Sequence, residues 1–199
     1  MEVIRPEGDN EWRHVCTSCK YVDYFNPKMV VGCIVEHDGK LLLCRRAIEP
    51  CRGKWTVPAG FLELRESTMA GAARETLEET GAQVSVTSPF MHLDIPAIGQ
   101  SYLLFRASLG PPYAYAAGGT PESLEVALVA PEDIPWDQIA FSSVQIALRA
   151  YCDDLAAGTT SYHHGTIVKA PGSAPNDPAS FELVDHFTYG LAPASAAGR

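Results

Sequence analysis

Three glutamates at helical spacing are the side chains of this sequence best placed to do chemistry. Glu75, Glu78 and Glu79 stand at positions i, i+3 and i+4. On a helix they would share one face, where like charges repel by about 0.2–0.5 kcal/mol per pair. Such a cluster is either a solvated acidic face moderated by Arg74 or a ligand set for a hard divalent cation such as Mg²⁺.

The helix that would carry these carboxylates is predicted over residues 68–80. Small and apolar residues recur there at helical spacing and predict a buried face turned away from the glutamates: Met69, Ala72, Ala73, Thr76 and Leu77. Ser67 or Thr68 can cap the start of the helix, and Gly81 fits the position just past its end.

The other elements follow from hydrophobic pattern and turn residues. Apolar runs predict strands and a later periodic stretch predicts a second helix: strands at 29–35, 41–46, 54–57, 84–86, 90–94, 102–107 and 126–130, and a helix at 141–155. An Asp-Gly turn at Asp38 predicts that the first two strands form a hairpin. Ser142 or Ser143 is expected to cap the second helix. Strands flanked by helices indicate an α/β fold of the α/β/α sandwich type.

Composition narrows the classes of ligand. The chain has 199 residues, with 24 acidic against 15 basic side chains and a formal net charge of -9, which is a poor match to a nucleic-acid backbone. A phosphate ligand would therefore need metal ions to offset the repulsion between its negative charge and that of the protein. No run of about 18 apolar residues predicts a membrane span, and six cysteines in a chain of this length require no disulfide scaffold. We expect a soluble protein in a reducing compartment.

The spacing around the glutamates resembles the Nudix box, G-x5-E-x7-R-E-U-x-E-E-x-G-U. The agreement runs over seven fixed positions: Gly60, Glu66, Arg74, Glu75, Glu78, Glu79 and Gly81. Thr76 and Ala82 stand where the pattern has larger aliphatic residues. The resemblance implies a Nudix-type sandwich with a mixed sheet, whose members cleave a nucleoside diphosphate linked to another moiety.

The resemblance also implies roles for the matching residues. Glu75, Glu78 and Glu79 match the Mg²⁺ or Mn²⁺ ligands, and the Gly60 carbonyl is a candidate further ligand. Glu66 and Arg74 would support the loop. We group Glu66 with the metal site and Arg74 with the catalytic residues. The position of the general base varies in this family. Our candidates are Glu125 and Glu122, which could equally be solvated loop residues, with Glu79 as the alternative.

Longer phrases resemble the plastid FAD pyrophosphatases of plants, among them NPKMVVGCIVEHDGKLLLCRR, GKWTVPAGFLEL and SPFMHLDIPAIGQSY. This resemblance implies hydrolysis of FAD to FMN and AMP, and it implies a plastid stroma, although composition fits a cytosol equally well. Homodimer formation is plausible. The alternatives are hydrolysis of ADP-ribose or another dinucleotide and, in a different class, a nucleotide-sensing module without catalysis.

Three polar side chains near the end of a predicted strand are candidates for substrate binding: Asp94, Gln100 and Tyr102. Tyr102 is the best candidate to stack on a flat ring. A buried strand followed by a tight turn would use the same residues. The pair His163 and His164 could touch phosphate or metal, but adjacent strand residues point to opposite faces, which favours a structural or exposed role.

The first 27 residues contain Cys16 and Cys19 at the spacing of one zinc knuckle. Related Nudix proteins carry a ribbon of two such pairs, and His14 is the only nearby substitute for the second. We therefore do not expect a complete Zn²⁺ site within one chain; a redox-sensitive dithiol and a site completed across a dimer are the alternatives. The predicted organisation is a partial ribbon at 1–27, a Nudix domain at 28–170 and an extension at 171–199 with a loose end.

Overall fold

The computed structural model describes residues 1–170 and 180–190. Over those residues it contains two α-helices, α1 (Thr68–Thr80) and α2 (Ser142–Ala157). Three short strands at the N-terminus form a small antiparallel sheet of their own: β1 (Glu2–Ile4), β2 (Arg13–Val15) and β3 (Val22–Asp23). Neither described helix is long and apolar enough to cross a membrane.

The described residues also form a mixed sheet of nine strands. The strands are β4 (Lys28–His37), β5 (Lys40–Arg46), β6 (Trp55–Thr56), β7 (Ala59–Phe61), β8 (Val84–Ile95), β9 (Gln100–Leu109), β10 (Ser123–Val129), β11 (Ser161–Lys169) and β12 (Phe181–Gly190). Seven run in the order β10-β5-β4-β9-β8-β11-β12, while β6 pairs with β5 and β7 pairs with β4. The β4/β9 and β8/β11 pairs are parallel, and the other pairs are antiparallel.

The predicted hairpin is confirmed, and its strands separate soon after the turn. Asp38 and Gly39 both adopt positive φ, as a two-residue hairpin turn requires. β4 and β5 pair only next to this turn, and the segment containing β6 and β7 then pairs with both of them. A Cβ at Gly32 would lie 2.4 Å from the Pro58 carbonyl oxygen, so the close approach of this segment depends on glycine. The pairing of this segment with β4 and β5 brings residues 59–61 beside α1.

The sheet is covered by a helix on each side, which confirms the α/β/α sandwich. β4 alternates between the two layers: Val31, Cys33 and Val35 belong to the core on the α1 side, whereas Ile34 belongs to the core on the α2 side. Leu148 of α2 is fully buried in the second core. Cys33 is buried as well, in agreement with its apolar context.

The predicted burial of α1 is wrong in its details. Met69 and Leu77 are 42% and 47% exposed, whereas Glu75 and Glu79, at 8% and 6%, belong to the buried face. The helix lies so close to β4 that a Cβ at Gly71 would stand 3.0 Å from a Val31 methyl group. Small residues therefore make the contact with the sheet, and the larger apolar ones turn outward.

Two further expectations are corrected, and the segment predicted as a C-terminal extension contains a strand. Residues 84–86 and 90–94 are parts of one strand, β8, whose two bulges disturb the alternation of apolar residues. Phe141 is the N-cap residue of α2 and no side chain caps it, so neither serine does. After residue 170, where we expect an extension, β12 pairs with β11 and widens the sheet. The loose end expected there falls on 191–199, outside the described residues.

Candidate active site

Arg74 is the centre of an acidic cluster on α1. The Nη1 atom of its guanidinium donates hydrogen bonds to Glu75 Oε1 at 2.8 Å and to Glu78 Oε2 at 3.0 Å. The Nε and Nη2 atoms donate to the two oxygens of Glu66 at 3.1 and 2.7 Å, and Nη2 also reaches the Phe61 carbonyl at 3.1 Å. One cation is therefore shared by three carboxylates and ties α1 to the loop before it.

Glu66 has its oxygens fully engaged within this loop. Besides the two bonds from Arg74, Oε1 accepts a hydrogen bond from the Glu63 backbone N–H at 2.8 Å. The bonds from Arg74, followed by that backbone bond, hold the pKa of Glu66 at about 2. The Glu66 carboxylate therefore links the loop before α1 to Arg74 on the helix, which agrees with the loop-supporting role that the resemblance implies.

Glu79 is a buried carboxylate without an ion-pair partner among the described residues. It accepts a backbone hydrogen bond from Ala59 at 3.1 Å and a weak one from the Cys44 thiol at 3.7 Å. Burial raises the pKa of Glu79 to about 7, and burial also raises the pKa of Glu75. The cluster thus holds more negative charge than its one arginine can neutralise.

Gly60 lies directly against this cluster. A Cβ on it would stand 2.2 Å from Glu75 Oε2, so only glycine lets the backbone come this close to the carboxylate. Among the described residues, no three His, Cys, Asp or Glu side chains are already arranged around a metal position. The donor set nevertheless fits a hard cation, because it offers carboxylate oxygens in excess and Glu78, half exposed, is free to leave Arg74.

The acidic cluster forms one wall of a cavity of about 520 Å³. The same cavity is also lined by residues from β5, β9 and the loops before β10 and α2: Arg46, Gln100, Tyr102, Glu122 and Phe141. The Arg46 guanidinium stacks over the Phe141 ring at 5.1 Å and donates from Nε to the Pro50 carbonyl at 2.8 Å. Acidic, cationic and aromatic groups therefore face the same space.

Arg46 is a functional candidate that sequence reasoning missed. It is the last residue of β5 and follows an apolar run and Arg45. The only signal in the sequence was a cation at the end of a buried strand, and such residues are common on protein surfaces. Its position in the same cavity as the glutamates depends on the pairing of β5 with β6 and β10, which the box spacing does not encode.

The structure brings some predicted substrate and base residues into this cavity and leaves others out. Gln100, Tyr102 and Glu122 line it. Glu125 does not; it lies on β10, where one of its oxygens is 3.8 Å from Arg45 Nη1. Of the two loop candidates for the general base, Glu122 is therefore the one that faces the acidic cluster.

Asp94 also lies outside the cavity. It pairs in register with Ser101, next to Tyr102, and adjacent strand residues face opposite sides of a sheet. Its Oδ1 accepts a hydrogen bond from the Ser101 hydroxyl at 3.0 Å, and the side chain lines a separate cavity. The prediction that Asp94 binds the same substrate as Tyr102 gains no support from this arrangement.

The two adjacent histidines are remote from the acidic cluster. His163 is buried, its Nδ1 is 3.2 Å from Nε2 of His186, and its ring stacks on the His186 ring. His164 is partly exposed and stacks on Phe187. These contacts hold β11 to β12, in keeping with the structural role favoured from the sequence.

Cys16 and Cys19 lie in the turn after β2, within the small N-terminal sheet. The Lys20 N–H closes this turn on the Cys16 carbonyl at 3.0 Å. Hydrogen bonds from the backbones of Cys19 and Ser18 lower the pKa of the Cys16 thiol. The pair has the sequence spacing of one zinc knuckle, and the described residues contain no group of three or more His, Cys, Asp or Glu side chains that could hold a metal ion.

Comparison with known proteins identifies both parts of the chain. The NUDIX domain family matches residues 26–145, and a zinc-ribbon family described as Nudix N-terminal matches residues 1–25. A crystal structure of a NUDIX hydrolase from Nitrosomonas europaea is 44% identical, with a TM-score of 0.78, and the match covers 83% of this chain and 93% of that one.

Two shorter matches are to curated relatives. A MutT-like protein from Streptomyces ambofaciens is 49% identical over 57 residues, and an ADP-ribose pyrophosphatase from Methanocaldococcus jannaschii is 39% identical over 69 residues. These matches cover 29% and 35% of this chain, and the chain spans 35% and 41% of the length of these relatives. With the box geometry and the family match over more than half of its length, the chain belongs to the Nudix hydrolase family.

Proposed function

We propose that this protein hydrolyses the pyrophosphate bond of FAD to give FMN and AMP, in a reaction that depends on Mg²⁺ or Mn²⁺. The observation that carries the proposal is one cavity that joins an under-neutralised carboxylate cluster to an aromatic wall. The phrases shared with plant FAD pyrophosphatases support FAD as substrate. ADP-ribose is the second candidate, because a relative with that named activity matches part of the chain.

Nudix hydrolases generally use divalent metal ions, and the acidic cluster supplies suitable donors. Glu75, Glu78 and Glu79 would hold the ions, with the Gly60 carbonyl as a further oxygen donor. When bound, the cation neutralises the pyrophosphate and lowers the pKa of a water molecule. Arg74 orients Glu75 and Glu78 through its shared Nη1, so that their oxygens are already gathered on the cavity side of α1.

The reaction needs a nucleophile, a proton acceptor and a leaving group. The oxygen of a water molecule attacks one phosphorus atom, and the bond from that phosphorus to the bridging oxygen breaks. The bridging oxygen leaves with the second phosphate, and the proton of the water passes to a carboxylate. We assign that carboxylate to Glu122, which lines the same cavity as the acidic cluster, with Glu79 as the alternative.

The remaining wall of the cavity would bind the rest of the substrate. Arg46 supplies a cationic group to the cavity that the acidic cluster lines and can pair with a phosphate oxygen. Tyr102 and Phe141 offer ring surface for a flat heterocycle, and Gln100 offers an amide. We do not include Asp94 among the binding residues of this substrate.

Product analysis tests this proposal. Purified protein is incubated with FAD, ADP-ribose and NADH, each with and without Mg²⁺ or Mn²⁺, and the products are separated by HPLC. We expect metal-dependent release of FMN and AMP from FAD at the highest kcat/KM. A higher kcat/KM for ADP-ribose would show that ADP-ribose is the preferred substrate, and the proposed pyrophosphate hydrolysis would still hold. Tight binding without cleavage of any compound would instead indicate a nucleotide-sensing module.

The resemblance to the plant enzymes also supports residence in the plastid stroma and formation of a homodimer. Fractionation of the native source tissue tests the first, and light scattering of the purified protein tests the second. Metal analysis of the same sample tests the cysteine pair. About one zinc ion per two chains would indicate a site shared across a dimer through Cys16 and Cys19.

A further inference from the structure

A second cavity, of about 290 Å³, adjoins the one at the acidic cluster. Pro50, Tyr102 and Phe141 line both cavities and form the boundary between them. The second cavity is near the lower end of the range for small-molecule sites, about 300–1,000 Å³. Its size suits one ring system and excludes a whole dinucleotide.

The walls of this second cavity are mainly apolar and come from distant parts of the chain. Ile95, Ile98, Ile167 and Phe181 supply apolar surface. Polar groups are few: the side chain of Lys169 and the first residues of α2, Ser142 and Ser143. Because no side chain caps α2, its first N–H groups remain available as donors at one end of an otherwise apolar pocket.

Part of this wall lies outside the family match. The NUDIX domain match ends at residue 145, whereas Ile167 and Lys169 belong to β11 and Phe181 begins β12. The acidic cluster belongs to the shared domain, but this pocket is completed by the β11–β12 hairpin. The second cavity thus adds wall residues from β11 and β12 to those that it shares with the first.

Resting on the proposed function, we propose that the second cavity holds one flat heteroaromatic ring of the dinucleotide substrate and that Phe181 is a specificity-determining residue. The continuity of the two cavities lets the pyrophosphate lie at the acidic cluster while a ring passes Tyr102 and Phe141. Apolar walls suit the ring faces, and the N–H groups of α2 suit carbonyl or ring-nitrogen acceptors on its edge. An alkyl chain would leave those donors unpaired.

The test compares Phe181→Ala with Phe187→Ala, a matched control on the same strand. Phe187 is 44% exposed and lines neither cavity. For each protein, kcat and KM are measured with FAD and with ADP-ribose. Loss of this partly buried aromatic contact should raise KM about tenfold with little change in kcat, because the contact exists in both ground and transition states. The control should match wild type.

The two substrates distinguish which ring enters. A rise in KM for FAD alone assigns the pocket to the flavin, and an equal rise for both substrates assigns it to adenine. Unchanged KM for both substrates overturns the inference. Thermal melts check that each variant folds, and Phe181→Leu, which keeps apolar bulk without a ring, replaces Phe181→Ala if the latter does not.

Failure of the proposed function is distinguishable from failure of this inference. If wild type cleaves neither compound, the proposed function fails, and equilibrium binding of FMN and AMP is measured instead, by flavin fluorescence and calorimetry. Binding that weakens about tenfold in Phe181→Ala and not in Phe187→Ala supports the pocket assignment. Equal binding by both variants, or no binding at all, overturns it.

Discussion

Arg74 and Arg106 both pair with acidic side chains, and their surroundings differ in the ratio of carboxylates to cations. Arg74 is shared by Glu66, Glu75 and Glu78, with Glu79 close by on the same helix. Arg106, on β9, makes one ion pair within the described residues, to Asp154 of α2. Its guanidinium lies over two aromatic rings, 4.6 Å from the Phe90 centroid and 4.7 Å from that of Tyr151.

Asp154 is also satisfied from several directions. It accepts hydrogen bonds from the Ser161 backbone at 3.0 Å and the Thr159 hydroxyl at 3.2 Å, and it lies 3.4 Å from His163. The Arg106–Asp154 pair thus links the sheet to the end of α2 with balanced charge. The Arg74 cluster instead has one arginine for three paired carboxylates. We therefore infer that this excess of negative charge marks the candidate metal site, whereas the balanced Arg106–Asp154 pair is a structural link.

Removing one carboxylate from the Arg74 cluster should have the largest effect. We expect Glu78→Gln to lower kcat at least about 100-fold, because groups that merely support metal ligands already cost 10–100-fold. The thermal melt should stay near wild type, since this side chain is half exposed. Glu132→Gln, an exposed glutamate outside the cavity, is the control. Equal kcat in the two variants would contradict the assignment.

Arg106→Met should affect stability and leave the chemistry alone. It leaves Asp154 buried without its cation, and breaking a buried pair in this way costs about 3 kcal/mol. Urea denaturation measures the loss, and kcat per folded molecule should match wild type. A strong fall in kcat at full stability would show that the two clusters do not divide their roles as we infer.

Arg74→Gln should lower activity by about 10- to 100-fold, the usual cost of losing a group that orients metal ligands. Glu75 and Glu78 would remain but would no longer be gathered by one guanidinium. Higher Mg²⁺ concentrations should restore part of the rate of Arg74→Gln, whereas folded Arg106→Met should show the Mg²⁺ dependence of wild type. Steady-state rates over a range of Mg²⁺ concentrations test this difference.

The smallest effect concerns pH. Burial alone would raise the pKa of Asp154, but the Ser161 N–H, His163 and Arg106 outweigh it and hold the pKa below the usual 3.8. A lowered pKa in the folded state contributes stability above 3.8 and loses it as pH falls below that value. The difference in unfolding free energy between wild type and Asp154→Asn should therefore shrink in acid. A constant difference across that range would contradict this assignment.

Local signals in the sequence were sufficient for much of the site. Ser67 does cap α1, its Oγ accepting from the Ala70 N–H, and Gly81 ends the helix in the left-handed conformation. The box spacing likewise brought Glu66, Arg74 and the three helix glutamates together. These features depend on residues a few positions apart, so periodicity and capping preferences encode them directly.

Features that depend on packing between distant segments could not be predicted in the same way. The outward position of Met69 and Leu77 follows from the close approach of α1 to β4, which the helical period does not report. Arg46 and Phe181 enter the cavities through strand pairings across the sheet. A resemblance to a family identifies the motif residues, but it does not predict cavity residues such as Arg46 and Phe181 that come from distant strands.

Direct measurement of metal binding tests the central claim that the carboxylates around Arg74 outnumber their cations and accept a divalent one. Mn²⁺ is titrated into the protein with an ADP analogue whose bridging oxygen is replaced by methylene, and free Mn²⁺ is followed by electron paramagnetic resonance. We predict that wild type and Glu132→Gln bind Mn²⁺ equally and that Glu78→Gln binds it at least about tenfold more weakly. Equal binding by all three proteins, or none by wild type, would contradict the claim.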